Sequence, residues 1–515
     1  MTDARLADAF ARLPDYLGSH VLVSLTALAL GLGISLPLAI ASRRRPAMRV
    51  AILSVASVVQ TIPGLALLAL FYPLLLTLSA LCERAFGKGF SALGFLPSVL
   101  ALALYSMLPV LRNTVAGLFG VGDGMRDAAR ALALTPRQTL WLVELPLAMP
   151  VIMAGIRTSA VWVIGTATLS TPIGQTSLGN YIFAGLQTQN WVFVLFGCAA
   201  AAALALIVDQ FLALMEGGVA THSRLKIVAG GAALALVALA ALLPGLSRAH
   251  ATYVVGAKPF TEQYVLAALI EQRLEANGLS AKGRDGLGSA VIFQALVAGD
   301  IDAYVDYSGT IWTNRMGHID APPRETVLNE VARWLNATYH VRVLGPLGFE
   351  NAYALAMRRA LADKLGIHSI ADLAAHAGRL TIAGDYEFFE RPEWMALRNA
   401  YSLHFREQRT MQSDFMYRAA ADGEVDVISA YTSDGRLAQY DLVTLTDPMR
   451  AIPPYDAILL LAPKRANDKK LIATLKPLTG AIPVELMRAA NLRASSGSSA
   501  QQTARWLGGM IEKSH

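Results

Sequence analysis

Charge is scarce in the first 250 residues of this chain and ordinary in the rest. Residues 1–250 hold 16 Lys+Arg and 9 Asp+Glu, leaving 28 and 29 of the totals of 44 and 38 for residues 251–515. The first half can bury its apolar surface only in lipid or against other apolar helices. The second has the charge density of a water-soluble domain. With 54% hydrophobic residues the chain is not a disordered one. Its net charge of +6 comes from the apolar half, so it carries no argument for nucleic-acid binding.

Apolar stretches at residues 21–41, 50–81, 95–119, 147–169, 191–214 and 227–246 are long enough to span a bilayer. Pro63 and Pro73 break or kink the second. Basic residues cluster after the first (Arg43, Arg44, Arg45, Arg49), after the third (Arg126, Arg130, Arg137) and after the fifth (Arg224, Lys226). By the positive-inside rule these ends are cytoplasmic. Residues 1–20 then lie outside as an N-terminal segment with no secretory leader, and residues 170–190 form an outside polar loop. Spans within 21–217 make one membrane bundle, and 218–251 hold the last span and a linker. That span has a second reading, as a signal sequence cleaved at Ala249-His250-Ala251. An uncleaved anchor is favoured, because the earlier spans already direct topology. Cys82 and Cys198 read as small buried residues. Arg157 and Asp209 read as charges near the inner interface, relieved by snorkelling.

From residue 252 short strands alternate with helices: strands near 253–257, 301–305, 352–357, 380–383, 425–428 and 457–461, helices near 262–277, 291–298, 326–336, 370–376 and 396–401. This is the pattern of an open α/β sheet fold. Its length suggests two lobes, about 252–348 with 456–515, and about 349–455. Thr261 reads as the N-cap of the first helix, with Lys258 just before it, an arrangement suited to a carboxylate.

The segment after the third span predicts a helix over 125–132, a turn at Thr135-Pro136 and a second helix over 137–143 that ends at Pro146. Such a charged hairpin between spans is a natural docking knob. It resembles the EAA loop of bacterial ABC-importer permeases, through Asp127, Ala128, Ala129, Ala133, Val143, Leu145 and Pro146, with Arg130 inside it. Asp, Ala and Val stand where that pattern has Glu, Gly and Ile, and Ala133 lacks glycine's freedom at a turn. Residues 60–63, 108–114 and 165–169 resemble the same family, over about residues 18–217. The resemblance implies a cytoplasmic ATPase subunit docked on residues 127–146, a homodimer through the membrane domain, and a bilayer around it. No G-x-x-x-x-G-K-[ST] segment occurs in the chain, so ATP hydrolysis falls to a separate subunit.

Tyrosines in the second half sit at strand ends or in loops, where α/β folds build ligand sites. Converging rings would cage a quaternary ammonium group. The segments GAKPFTEQ, DYSGT and AYTSDGRL resemble substrate-binding domains of osmoprotectant importers for glycine betaine, choline and carnitine. The resemblance implies a two-lobed binding-protein fold, a cage of Tyr307, Tyr353, Tyr431 and Tyr455, and carboxylate contacts from Lys258, Thr310 and Arg391, with Gln263 a further candidate. A betaine satisfies both ends of such a site; ergothioneine, a betaine of histidine, fits the same logic. The expectation is a fused permease and binding protein for osmoprotection, in the inner membrane, with the binding domain outside and no cofactor, metal or nucleic acid. The rivals fare worse. A membrane-anchored sensor needs an output domain after the last span. An enzyme needs a constellation such as G-x-S-x-G or H-x-x-x-H, and neither is present.

Overall fold

The computed structural model describes residues 2–43, 45–87, 90–187, 190–247, 253–318, 320–385 and 388–514. They form two compact units. One spans Leu6–Phe183 and Val192–Ala249; the other holds His250–His515 with the short segments Met1–Arg5 and Ala184–Trp191. Ala249-His250-Ala251, the alternative cleavage site, lies outside the described residues.

The first unit is all helical. Its elements are α1 (Thr2–Ser42), α2 (Pro46–Thr61), α3 (Gly64–Phe86), α4 (Phe95–Phe119), α5 (Asp123–Ala131) and α6 (Pro136–Thr139). Then come α7 (Leu145–Ala167), α8 (Gly179–Gln187), α9 (Trp191–Ala220) and α10 (Arg224–Ser247). Among the described residues six helices are long and apolar enough to cross a membrane. The stretch expected over 50–81 is two helices. It breaks at Ile62, which turns to extended backbone (φ −72°, ψ 127°) because the following Pro63 disfavours helix at that position.

Several other expectations change. Residues 2–20 are helical and continuous with the first span: α1 runs unbroken through Pro14. The polar stretch 170–190 contains α8, whose Tyr181 is buried and donates to the Ala9 carbonyl at 2.6 Å. Cys198 is exposed and Cys82 half-buried, so neither is a core residue. Arg157 does not snorkel alone. Its guanidinium grips both oxygens of Asp209 at 2.5 and 2.7 Å, tying α7 to α9. A paired charge costs far less in an apolar setting than a single one.

The tightest helix pair is α4 against α7. A Cβ on Gly155 would lie 2.6 Å from the Asn113 Cβ and 2.9 Å from the Pro109 carbonyl oxygen, so only glycine lets the backbones meet.

The second unit contains two sheets of five strands. The strands are β1 (Tyr253–Gly256), β2 (Ala281–Arg284), β3 (Ala303–Tyr307), β4 (Arg342–Glu350), β5 (Tyr353–Arg358), β6 (Thr381–Gly384), β7 (Glu407–Thr410), β8 (Val427–Tyr431), β9 (Leu442–Thr444) and β10 (Asp456–Leu461). The orders are β2-β1-β3-β10-β4 and β7-β6-β8-β5-β9. The chain passes from the first sheet to the second between β4 and β5, and returns into β10. There it lies antiparallel between β3 and β4. All six residues of β10 are buried, as a central strand requires. Helix α11 (Thr261–Ala276) covers the first sheet and buries ten of its sixteen residues. Thr261 is its first helical residue, not its cap; Phe260 holds the cap position, without a side-chain bond.

Replacing Gly155 with valine should cost about 1–3 kcal/mol through overpacking. A thermal melt of the detergent-solubilised protein should show a lower midpoint; an unchanged midpoint would contradict the α4–α7 contact.

Candidate functional site

Parallel strands β1 and β3 are neighbours, so the residues at their carboxyl ends lie side by side, where open α/β sheets bind ligands. Lys258 follows β1; Tyr307 ends β3. Antiparallel pairing sets two further rings: Tyr353 begins β5 directly opposite Tyr431, the last residue of β8. Their ring centroids are 4.8 Å apart and their hydroxyls 3.1 Å. Tyr455 precedes β10, whose register pairs Ala457 with Tyr307. Its ring lies over Gly309, where a Cβ would sit 2.5 Å from ring carbons. That close approach explains the glycine of DYSGT.

These four tyrosines line one cavity of about 240 Å³ together with Lys258, Thr310 and Arg391. Gln263 does not line it. It stands behind the wall and donates to the Tyr307 hydroxyl at 3.0 Å. Both cations carry counter-charges already. The Lys258 ammonium pairs with Asp306, and Arg391 lies 3.3 Å from Glu393 and 5.0 Å from the Tyr353 ring centroid. Burial works against the Arg391 charge, but the pull of the Glu393 carboxylate opposes it and the guanidinium stays protonated. Burial, reinforced by nearby acids, pushes all four tyrosine hydroxyls above their ordinary range, so the rings are neutral phenols.

Sequence reasoning missed a fifth ring and three carboxylates. Phe260 stacks on Tyr307 and Tyr431, with centroids 6.2 and 6.5 Å away. Tyrosine hydroxyls donate to Glu262 (from Tyr307, 2.6 Å), Asp385 (from Tyr431, 2.9 Å) and Glu393 (from Tyr455). Phe260 and Glu262 stood in view within GAKPFTEQ. Nothing local signalled Asp385 or Glu393.

In the first unit, α5 ends in a Schellman turn. Leu134 donates to the Ala129 carbonyl, and Ala133 to that of Arg130, with Ala133 in the left-handed region at φ 52°. Asp127 and Arg130 form an exposed pair at 2.9 Å, beside Ala128 and the buried Ala129. Thr135 caps α6 by a capping box with Gln138. The helix does not end at Pro146, as expected. A π-helical turn over Leu140–Glu144 leads directly into α7, with Leu145 and Pro146 in its first turn. Proline has no N–H to give back to that turn, and the chain stays helical through it. Glu144 anchors the hairpin by Arg43 at 2.8 Å and Arg126 at 3.4 Å.

Comparison with known proteins agrees with this division. Residues 31–221 match the family model "binding-protein-dependent transport system inner membrane component". The choline transport system permease protein OpuBB of Bacillus subtilis is 39% identical over 197 residues, 38% of this chain and 83% of that protein. The chain belongs to this permease family. Behind the permease it carries a second module: residues 251–507 match "substrate binding domain of ABC-type glycine betaine transport system". The carnitine transport binding protein OpuCC of Listeria monocytogenes is 29% identical over 259 residues, 49% of this chain and 84% of that one. A relative with both modules is the ergothioneine transport permease/ergothioneine binding protein EgtU of Helicobacter pylori. It is 29% identical over 447 residues, 84% of this chain and 77% of its own. The fused permease is thus a multi-pass membrane protein with a binding-protein domain.

Ala133→Gly should relieve about 1 kcal/mol of left-handed strain. The Leu134 amide should then exchange with solvent hydrogen roughly fivefold more slowly; equal or faster exchange would refute the strain.

Proposed function

We propose that this fused permease is the channel and ligand receptor of an ATP-driven importer of trimethylammonium betaines, glycine betaine among them, serving osmoprotection. The observation that carries this reading is the convergence of four tyrosine rings with Lys258, Thr310 and Arg391 on one cavity. Electron-rich ring faces attract a cation that cannot donate hydrogen bonds. Arg391 and Lys258 supply charge-assisted donors for a carboxylate. A zwitterion uses both sets of groups at once, whereas choline has no carboxylate for the donors of Arg391 and Lys258.

A second reading, ergothioneine as the cargo, draws on the two-module relative from Helicobacter pylori. Ergothioneine also joins a trimethylammonium to a carboxylate. The basic span ends support a bundle with its hairpin in the cytoplasm and the binding domain outside. On the hairpin, Leu132, Trp141 and Leu142 are 74%, 67% and 65% exposed, an apolar surface suited to an ATPase subunit. Two copies of the permease would complete the pathway.

Titration calorimetry of the full-length chain in detergent against glycine betaine, carnitine, choline and ergothioneine tests the ligand. A betaine should bind most tightly, and Tyr431→Ala should weaken it at least tenfold; undiminished binding would remove the cage. For the hairpin, Leu132→Glu should abolish ligand-stimulated ATP hydrolysis in the assembled transporter with ligand affinity unchanged. Retained stimulation would exclude that surface as the dock.

A further inference from the structure

Four buried acids in the binding domain each face a cation: Asp302 faces Arg465, Asp306 faces Lys258, Glu393 faces Arg391 and Asp456 faces Arg324. Glu262 is held differently. It is 3% exposed and lines the ligand cavity. Among the described residues its hydrogen-bond partners are all neutral: Tyr307 at 2.6 Å, Asn351 at 3.0 Å, Ser433 at 2.6 Å and Asn491 at 2.8 Å. These donors come from four separate segments: the end of β3, the crossing into β5, the loop after β8, and the helix Val484–Ser495.

Four donors fill the acceptor sites of an ionised carboxylate, and a protonated one has no use for them all. The first turn of α11 adds the favourable end of the helix dipole. Yet burial raises the pKa of Glu262 above the usual carboxylate value, against the pull of its four donors. Keeping this carboxylate ionised costs free energy, and among the described residues no cation bonds to it to offset that cost. The nearest ring to receive it is Tyr307, whose hydroxyl donates to the carboxylate and whose face lines the cavity. A phenol that donates to an anion gains electron density in its ring. Lys258 also lies 5.3 Å from that ring, but Asp306 answers its charge.

We propose that Glu262 is the charge that makes this cavity select a cation, acting through the ring of Tyr307. The proposal rests on the trimethylammonium reading and assigns the source of its selectivity to a residue outside the aromatic cage.

The test compares glycine betaine with 3,3-dimethylbutanoate, in which carbon replaces the nitrogen. Shape and carboxylate are the same and the positive charge is gone. Affinities are measured by calorimetry on the full-length chain in detergent. Wild type should prefer the betaine. Glu262→Gln should lower that preference at least tenfold, by weakening the betaine and leaving the isostere unchanged, while Glu262→Asp should keep most of it. An unchanged preference in Glu262→Gln, or an equal loss for both ligands, overturns the proposal. Where a melt shows Glu262→Gln unfolded, Tyr307→Phe is the second variant. It should lower the preference about threefold, and an unchanged preference there also overturns the proposal. A wild type without preference overturns it outright. Failure of every trimethylammonium compound to bind wild type would instead remove the importer reading itself.

Discussion

Strand β10 returns from the second sheet and pairs antiparallel with both β3 and β4, and the ligand cavity depends on that insertion. Its register sets Tyr455 beside Gly309 and Tyr307. At the same place the outgoing chain is pinned, because Asn351 donates its backbone N–H to the Tyr455 carbonyl at 2.9 Å. The two crossings between the sheets are therefore one hydrogen-bonded seam. Asn351, Tyr353 and Tyr455 stand in it, and Glu262 and Glu393 gather donors from both sides of it. A parallel strand in place of β10 would enter from the opposite end and leave the cavity without Tyr455.

Buried polarity is the second organising constraint. The cavity is walled by groups that each cost free energy to bury, and nearly every one has a partner within the protein. Arg391 is held by Glu393, which also accepts from Thr313 and Tyr455. Lys258 is held by Asp306, which also accepts from Tyr304 at 2.5 Å. Rings and charges are held by partners within the protein itself.

Much of this was legible in the sequence, because hydropathy and alternation are local signals. Spans, central strands such as 457–461, and tyrosines at strand ends all follow from nearest neighbours in the chain. The failures have physical reasons too. Strands β2 and β7 lie at sheet edges and carry Lys282, Arg284, Glu407 and Arg409, so their polar runs read as loop. Pro146 reads as a helix end, but a proline in a first turn continues one. Gln263 sits one residue from Glu262 within the same motif, and only the fold tells which faces the cavity. Carboxylates behind the rings leave no spacing to find, since Glu262, Asp385 and Glu393 meet the tyrosines only through tertiary contacts.

The two units belong to one chain, and only residues 248–252 separate the end of α10 from the start of β1. A binding domain encoded in the same chain reaches its own membrane unit as an intramolecular partner. Their mutual affinity can then be weak, and release after each delivery stays fast. The ratio of receptor to channel is also set by translation. Supply of free binding protein, which a two-chain system must tune by expression, is no longer a variable.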